Sequence, residues 1–151
     1  MNLKILFITA ISILLGMGIY FLTNPSYEKS LEAKYYYEIA DFEEAYKLSK
    51  EAFTINPYNK MAATIMVQSQ YSLKYVHYIN DAKDYIHQIE NIVQDGISIQ
   101  DRAKIRIISE IMIDRYKKLA PSVVIDQDLI KQTKEYYEKF QNLFKKAHRI
   151  S

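Results

Sequence analysis

Residues 24–59 read NPSYEKSLEAKYYYEIADFEEAYKLSKEAFTINPYN, and this stretch decides the predicted fold. Asn24-Pro25 is a helix start signal, because proline in the first turn has no N–H that needs an intrahelical partner. Asp41-Phe42-Glu43-Glu44 has the spacing of a capping box, which predicts a second helix running to about Ile55. Asn56-Pro57 ends that helix and begins a third. Two helices joined by so short a turn must lie antiparallel, as a helical hairpin.

The 34 residues from Ser26 to Asn59 resemble one tetratricopeptide repeat. The residues that carry the resemblance are small side chains where the two helices touch, aromatic side chains near the end of the first helix, an interhelical turn and a closing signature. They are Ala33, Ala45 and Ala52; Tyr36 and Tyr37; Ala40-Asp41-Phe42; and Asn56-Pro57-Tyr58-Asn59. Two residues depart from the family pattern, since Lys29 stands where Trp is common and Glu32 where an apolar residue is usual.

The segment from Lys60 to Gly96 is interpreted as a degenerate second repeat. Met61–Tyr71 would form its first helix and Asp81–Val93 its second, with a three-residue surplus around Val76–Ile79. Gly96 would end the second helix in a left-handed cap. Arrays of this kind usually need three or more units, because each hairpin buries one face on its neighbour.

Two more helices are predicted after Gly96, at about 98–119 and 126–149. Ser98 to Asp101 has capping-box spacing for the first, and Asp126 or Asp128 caps the second. The first carries apolar residues over more than half its circumference, so we expect it to be buried from two sides. With three Gly and three Pro in 151 residues, the chain lacks the turn residues of an all-β protein. The predicted fold class is all-α, a TPR-like array of about three antiparallel helical hairpins.

Eighteen residues from Ile5 to Leu22 carry no charge, and as a helix they would span about 27 Å, close to the thickness of a bilayer core. Residues 1–23 are therefore predicted to be a transmembrane signal anchor, and 24–151 the helical domain. A cleaved signal peptide is the competing interpretation, but Tyr20 to Pro25 contain no small-x-small cleavage site. Lys4 favours a cytoplasmic N-terminus, which puts the protein in the inner membrane and its domain in the periplasm or outside.

The family resemblance implies that the first helices of the repeats form a concave face holding a segment of another protein. Carried over by position, the partner-binding residues of that face are Tyr27, Ser30, Lys34, Tyr37, Glu38, Thr64, Gln68 and Tyr71. Lys34, Tyr37 and Tyr71 would form a clamp. The Lys34 amine would bind a carboxylate or carbonyl of the partner, while the two tyrosine rings contact its apolar atoms.

Charge is distributed unevenly along the domain. Residues 24–60 have five basic and seven acidic side chains, whereas 101–151 have twelve and seven. The chain ends in a basic patch of Lys145, Lys146 and Arg149, suited to an acidic protein surface or anionic lipid. The helix dipole also favours cations at such an end. Nucleic acid is not an expected partner, because the patch is small and an exported domain would not meet it.

No residue pattern predicts catalysis, a cofactor, a metal or a small-molecule substrate. Cysteine is absent, and the three histidines are not spaced as paired ligands; His87 with Glu90 gives two ligands where a metal site needs three or four. The sequence indicates a non-enzymatic, membrane-anchored adaptor or scaffold in a cell-envelope assembly such as a flagellar motor or secretion machine. A membrane-tethered periplasmic chaperone that holds client proteins is the alternative, and a wall-modifying enzyme a third possibility.

Overall fold

The computed structural model describes residues 3–94, 96–119 and 125–149, apart from the side chains of residues 21, 22 and 149. Within these ranges the chain is all-helical and contains no strand, which confirms the predicted class. The helices are α1 (Leu3–Thr23), α2 (Pro25–Glu38), α3 (Phe42–Ile55), α4 (Lys60–Gln94), α5 (Ile99–Lys117) and α6 (Gln127–Arg149). The chain divides into two compact units, residues 1–70 and 71–151, which are described separately.

Helix α1 is the one helix of the described chain that is long and apolar enough to cross a membrane. Its 21 residues give a length of about 31 Å, and none of the window Leu3–Tyr20 is buried against the rest of the chain. Asn24 alone separates α1 from α2.

The two helices predicted from residues 24–59 form with caps close to the expected places. The Asn24 side chain accepts a hydrogen bond from the Ser26 amide at 3.0 Å, and the Asp41 carboxylate accepts one from the Glu44 amide at 3.2 Å. Between the helices Ala40 adopts a φ of 62°, the left-handed conformation that favours glycine. That turn reverses the chain, so α2 and α3 lie side by side.

Contacts at the two ends of this hairpin establish that its helices are antiparallel. At one end the Ser26 hydroxyl donates a hydrogen bond to the Ala52 carbonyl at 2.8 Å. At the other the Tyr37 and Phe42 rings meet edge to face, with centroids 5.4 Å apart. The predicted small positions Ala33, Ala45 and Ala52 are all fully buried. Methyl side chains there let the helices approach closely.

Asn59 joins the hairpin to the start of α4 through a fully buried polar network. Its Nδ2 group donates toward three acceptors, the Ser26 carbonyl at 3.2 Å, the Ser26 hydroxyl at 3.0 Å and the Ser30 hydroxyl at 3.2 Å. Two N–H groups serve three acceptors, so one of them is shared. Its Oδ1 atom accepts from the Ala62 amide at 3.2 Å and so caps α4. One side chain thereby connects the beginnings of α2 and α4.

The predicted second hairpin, residues 60–96, is wrong. The chain forms one continuous helix of 35 residues, α4, where two helices and a turn were expected. Around the expected break Tyr75, Tyr78, Ile79 and Ala82 are all buried. Their spacing of three and four residues continues one helical face, and no glycine or proline interrupts it. The described chain therefore has antiparallel pairs at α2–α3 and α5–α6, with a long single helix between them in sequence.

In the second unit, the later part of α4 packs with α5 and α6 around a core of aliphatic and aromatic side chains. The buried members are Tyr78, Ile79, Ala82, Ile89, Ile105, Ile108, Met112 and Phe140. Ser98 and Asp101 form the predicted capping box at the start of α5, with bonds of 3.0 and 3.1 Å. Two contacts show that α5 is antiparallel to α4. Arg115 forms an ion pair with Asp81, and Ile105 is buried with Ile89.

The expectation that α5 is buried from two sides is wrong. Ile107 and Ile111 are about half exposed, at 53% and 45%, while Ile105, Ile108 and Met112 on the opposite face are buried. Helix α5 thus packs through one face.

Asn59→Ala should destabilise the first unit by about 3 kcal/mol, because it removes a helix cap and leaves buried serine groups without their donor. In hydrogen exchange of the full chain in detergent micelles, peptides from residues 25–59 should exchange roughly a hundredfold faster. Peptides from α5 serve as the internal reference. The matched control Gln70→Ala alters an exposed amide and should leave both sets unchanged. Equal protection of 25–59 in Asn59→Ala would contradict the assigned role of the network.

Candidate protein-binding groove

Five of the eight predicted partner-binding residues line one open groove in the first unit. Lys34, Tyr37 and Glu38 come from the end of α2, and Thr64 and Gln68 from the first turns of α4. The groove encloses about 440 Å³, within the range of ordinary ligand recesses. The family resemblance placed these residues together, and the described geometry brings them to one surface.

The groove has an apolar floor. Ile65 is buried with the alanines of the hairpin, while Tyr37 and Met61 are half-buried and pack against the same core. Methionine is unbranched and adapts its shape to different contacts. The floor could therefore receive an apolar side chain without rearrangement of the helices.

The rim of the groove is charged. The Lys34 amine lies 3.6 Å from the Glu38 carboxylate, and both side chains are more than half exposed. Lys60 adds a second exposed cation, so the three charged side chains at the rim carry a net charge of +1. An exposed ion pair four residues apart on a helix contributes only about 0.3–0.5 kcal/mol. A carboxylate from a partner could displace Glu38 from Lys34 at small cost.

Ser30 was predicted as a groove residue, and this is wrong. It is fully buried. Its hydroxyl donates to the Tyr27 carbonyl at 2.9 Å and accepts from Asn59 Nδ2. Ser26, Ser30 and Ala33 are small residues at helical spacing, a pattern that predicts an internal face. That spacing is the signal from which the burial of Ser30 could have been inferred.

Two other predicted residues lie outside the groove lining. Tyr27 is half-buried on α2, one turn before Ser30. Tyr71 belongs to the second unit, where the Lys74 amine lies 4.8 Å from its ring centroid. The groove as described therefore contains Lys34 and Tyr37 of the predicted clamp.

Three residues of the groove were not predicted, namely Lys60, Met61 and Ile65. Met61 and Ile65 share a face of α4 with Thr64 and Gln68, because residues three and four apart are neighbours on a helix. The same periodicity could have found them. Lys60 is the first residue of the helix and adds the second rim charge.

A second cleft of the first unit, about 610 Å³, lies on the α3 side of the hairpin. It is bordered by an ion pair between Lys29 and Glu51 at 2.7 Å, which links the start of α2 to the end of α3. The hydrogen bond and positive charge of Lys29 hold the pKa of the Glu51 carboxyl below its usual value. The Lys50 amine lies 5.7 Å from the Tyr46 ring centroid. Lys29 and Lys50 in this cleft thus each have a nearby acidic or aromatic group within the unit.

The second unit has a separate apolar cavity of about 470 Å³ near the end of α6. Its walls are mainly aliphatic, with Arg102 and Lys146 as the charged members; the lining residues are Ile89, Val93, Ile97, Arg102, Ile105, Leu143, Lys146 and Ala147. Of the predicted basic patch, Lys146 lines this cavity and Lys145 is exposed beside it. The side chain of Arg149 lies outside the described residues.

Among the residues that the structure describes, no group of three His, Asp or Glu side chains is placed to hold a metal ion. His87 Nδ1 lies 3.1 Å from the side-chain Nδ2 atom of Asn91, an exposed contact within α4. Comparison of the chain with protein-family models, curated proteins and solved structures gave no significant match.

Proposed function

We propose that this chain is a non-enzymatic, membrane-anchored adaptor that binds a segment of another protein in the α2–α4 groove. The observation that carries the proposal is the groove itself, where an apolar floor of Tyr37, Met61 and Ile65 lies beside a rim of Lys34, Glu38 and Lys60. The resemblance of residues 26–59 to a tetratricopeptide repeat supports the same use of this face.

The chemistry of the groove defines the partner segment. An apolar side chain would occupy the floor, and an adjacent acidic group would bind Lys34 or Lys60. The exposed Thr64 and the half-buried Gln68 provide hydrogen-bonding groups for the partner's backbone. Charge pairing at such a rim contributes mainly to specificity and association rate, while burial on the floor provides affinity.

A scaffold role in a cell-envelope assembly, such as a flagellar motor or secretion machine, fits a chain with a recess in each unit. The cavity between Ile89, Ile105 and Leu143 offers an apolar surface with two cations, distinct in chemistry from the groove. A scaffold would yield a stoichiometric complex after gentle solubilisation of the membrane. The alternative, a membrane-tethered chaperone, would yield many substoichiometric clients.

Helix α1 is proposed to be the uncleaved anchor in the inner membrane. Its length supports this, and so does the absence of a small-x-small site between Tyr20 and Pro25. Lys4 is positively charged and lies at the start of α1, which favours a cytoplasmic location for that end of the helix. The helical domain would then lie on the periplasmic or outer side.

Replacing Lys34→Glu together with Tyr37→Ala should abolish recovery of the partner in affinity purification from native membranes, because both charge and floor are lost. Thr64→Arg should do the same by filling the groove, and it removes no buried contact. The matched control is Lys83→Glu with Tyr35→Ala, two exposed residues of the same types outside the groove lining. Membrane abundance should be equal for Thr64→Arg and the control, whereas Tyr37→Ala also removes the Tyr37–Phe42 ring contact, so Thr64→Arg is the decisive variant. Full recovery with both groove variants would refute the groove as the binding site.

The orientation is tested by protease access to sealed membranes. Protease added on the periplasmic side should degrade the domain after residue 24 and leave the α1 fragment protected. Degradation only after the cytoplasmic side is opened would show the opposite orientation.

A further inference from the structure

The turn between α3 and α4 lies at the end of the α2–α3 hairpin that is joined to α1. Tyr58 immediately precedes Asn59, whose side chain is hydrogen-bonded to the Ser26 carbonyl and hydroxyl. Ser26 is three residues beyond Thr23, the last residue of α1, so at most about 11 Å of chain separates them. The buried network therefore holds the turn close to the point where α1 ends.

The exposed residues of this turn have the chemistry of a lipid interface. Residues 52–59, AFTINPYN, contain no charge. Tyr58 is 91% exposed and Ile55 50% exposed, and Thr54 and Pro57 are also exposed. An aromatic ring with a polar tip is most stable at the level of the lipid headgroups. Lys60 directly follows the uncharged stretch and is exposed, so its amine could reach phosphate groups. On the other side the stretch is preceded by Glu51, which is paired with Lys29, and then by the exposed Lys50.

We infer that the α3–α4 turn, with Tyr58 at its tip, inserts into the headgroup layer of the bilayer that holds α1. This inference rests on the proposed anchor. The headgroup region extends several ångströms beyond the hydrocarbon core on each side. A turn fixed beside Ser26 is placed to enter that layer. The lipid surface is the occupant of the exposed patch formed by Ile55, Pro57 and Tyr58.

The opposite end of the hairpin provides a comparison within the same unit. Tyr35 is also well exposed, at 59%, but it lies nine residues after Ser26 on α2. Along a helix this is about 13 Å from the turn at the α1 end. Tyr35 and Tyr58 therefore both have an exposed phenol ring, but they differ in their distance from the anchor.

The absence of tryptophan allows a direct test, because any introduced tryptophan is the sole indole fluorophore. The full chain would be reconstituted into phosphatidylcholine vesicles containing lipids brominated either near the headgroup or deep in the acyl chain. Tyr58→Trp should show blue-shifted emission and be quenched most strongly by the shallow bromines. Tyr35→Trp should emit as in water and be quenched by neither lipid. Both side chains are more than half exposed, and an indole at position 35 keeps an aromatic ring beside Tyr36, whose centroid lies 5.6 Å from that of Tyr35.

Leu14→Trp in the middle of α1 separates this inference from the anchor proposal. It should be quenched most strongly by the deep bromines if α1 spans the bilayer. Deep quenching of Leu14→Trp with no quenching of Tyr58→Trp would overturn the inserted turn and leave the anchor standing. No quenching of Leu14→Trp would overturn the anchor, and the inference with it.

Discussion

The buried amide of Asn59 is the constraint on which the first unit depends. A fully buried polar side chain is tolerated only where its hydrogen bonds are made, and here Ser26 and Ser30 accept while the start of α4 donates. Because these partners sit on α2, the network fixes the position of α4 against the hairpin. The groove and the exposed turn are both consequences of that fixed position.

The groove needs both a charged rim and an apolar floor, and these come from two different helices. Helix α2 contributes Lys34, Tyr37 and Glu38, and α4 contributes the floor residues Met61 and Ile65. The close approach that brings them together is possible because Ala33 and Ala45 remove side-chain bulk from the hairpin interior. A small-residue interior thus supports an adaptable surface, which is what binding a segment of another protein requires.

Local signals in the sequence were sufficient for most helix boundaries. Asn24, Asp41 and Ser98 accept hydrogen bonds from amides two or three residues later in sequence, and Pro25 lacks the N–H that would need a partner in the first turn, so their effect is readable without the fold. The continuity of α4 could not be predicted from local signals of this kind. A weak match to a second repeat suggested a break near residues 76–79, but burial of Tyr78 and Ile79 among α5 and α6 residues favours an unbroken helix.

The candidate site was predicted only in part from the sequence. Family register placed Lys34, Tyr37 and Thr64 on one face, because helical periodicity determines which residues are neighbours. Ser30 shares that register, yet its hydroxyl is consumed by an amide 29 residues away in sequence. The partner of this hydrogen bond leaves no local pattern, whereas the small-residue spacing of Ser26, Ser30 and Ala33 does indicate that Ser30 faces the interior. Tyr71 lies three residues beyond Gln68 on α4, outside the residues that line the groove.

Binding of a specific partner protein in the groove can be tested by site-specific photocrosslinking in native membranes. A photoreactive residue at Thr64, inside the groove, should give one discrete crosslinked species, and the same residue at exposed Lys83 should give none. The species formed at Thr64 should disappear when Lys34→Glu and Tyr37→Ala are introduced together. Identical patterns at the two positions, or a crosslink at Thr64 that persists with Lys34→Glu and Tyr37→Ala, would contradict the account.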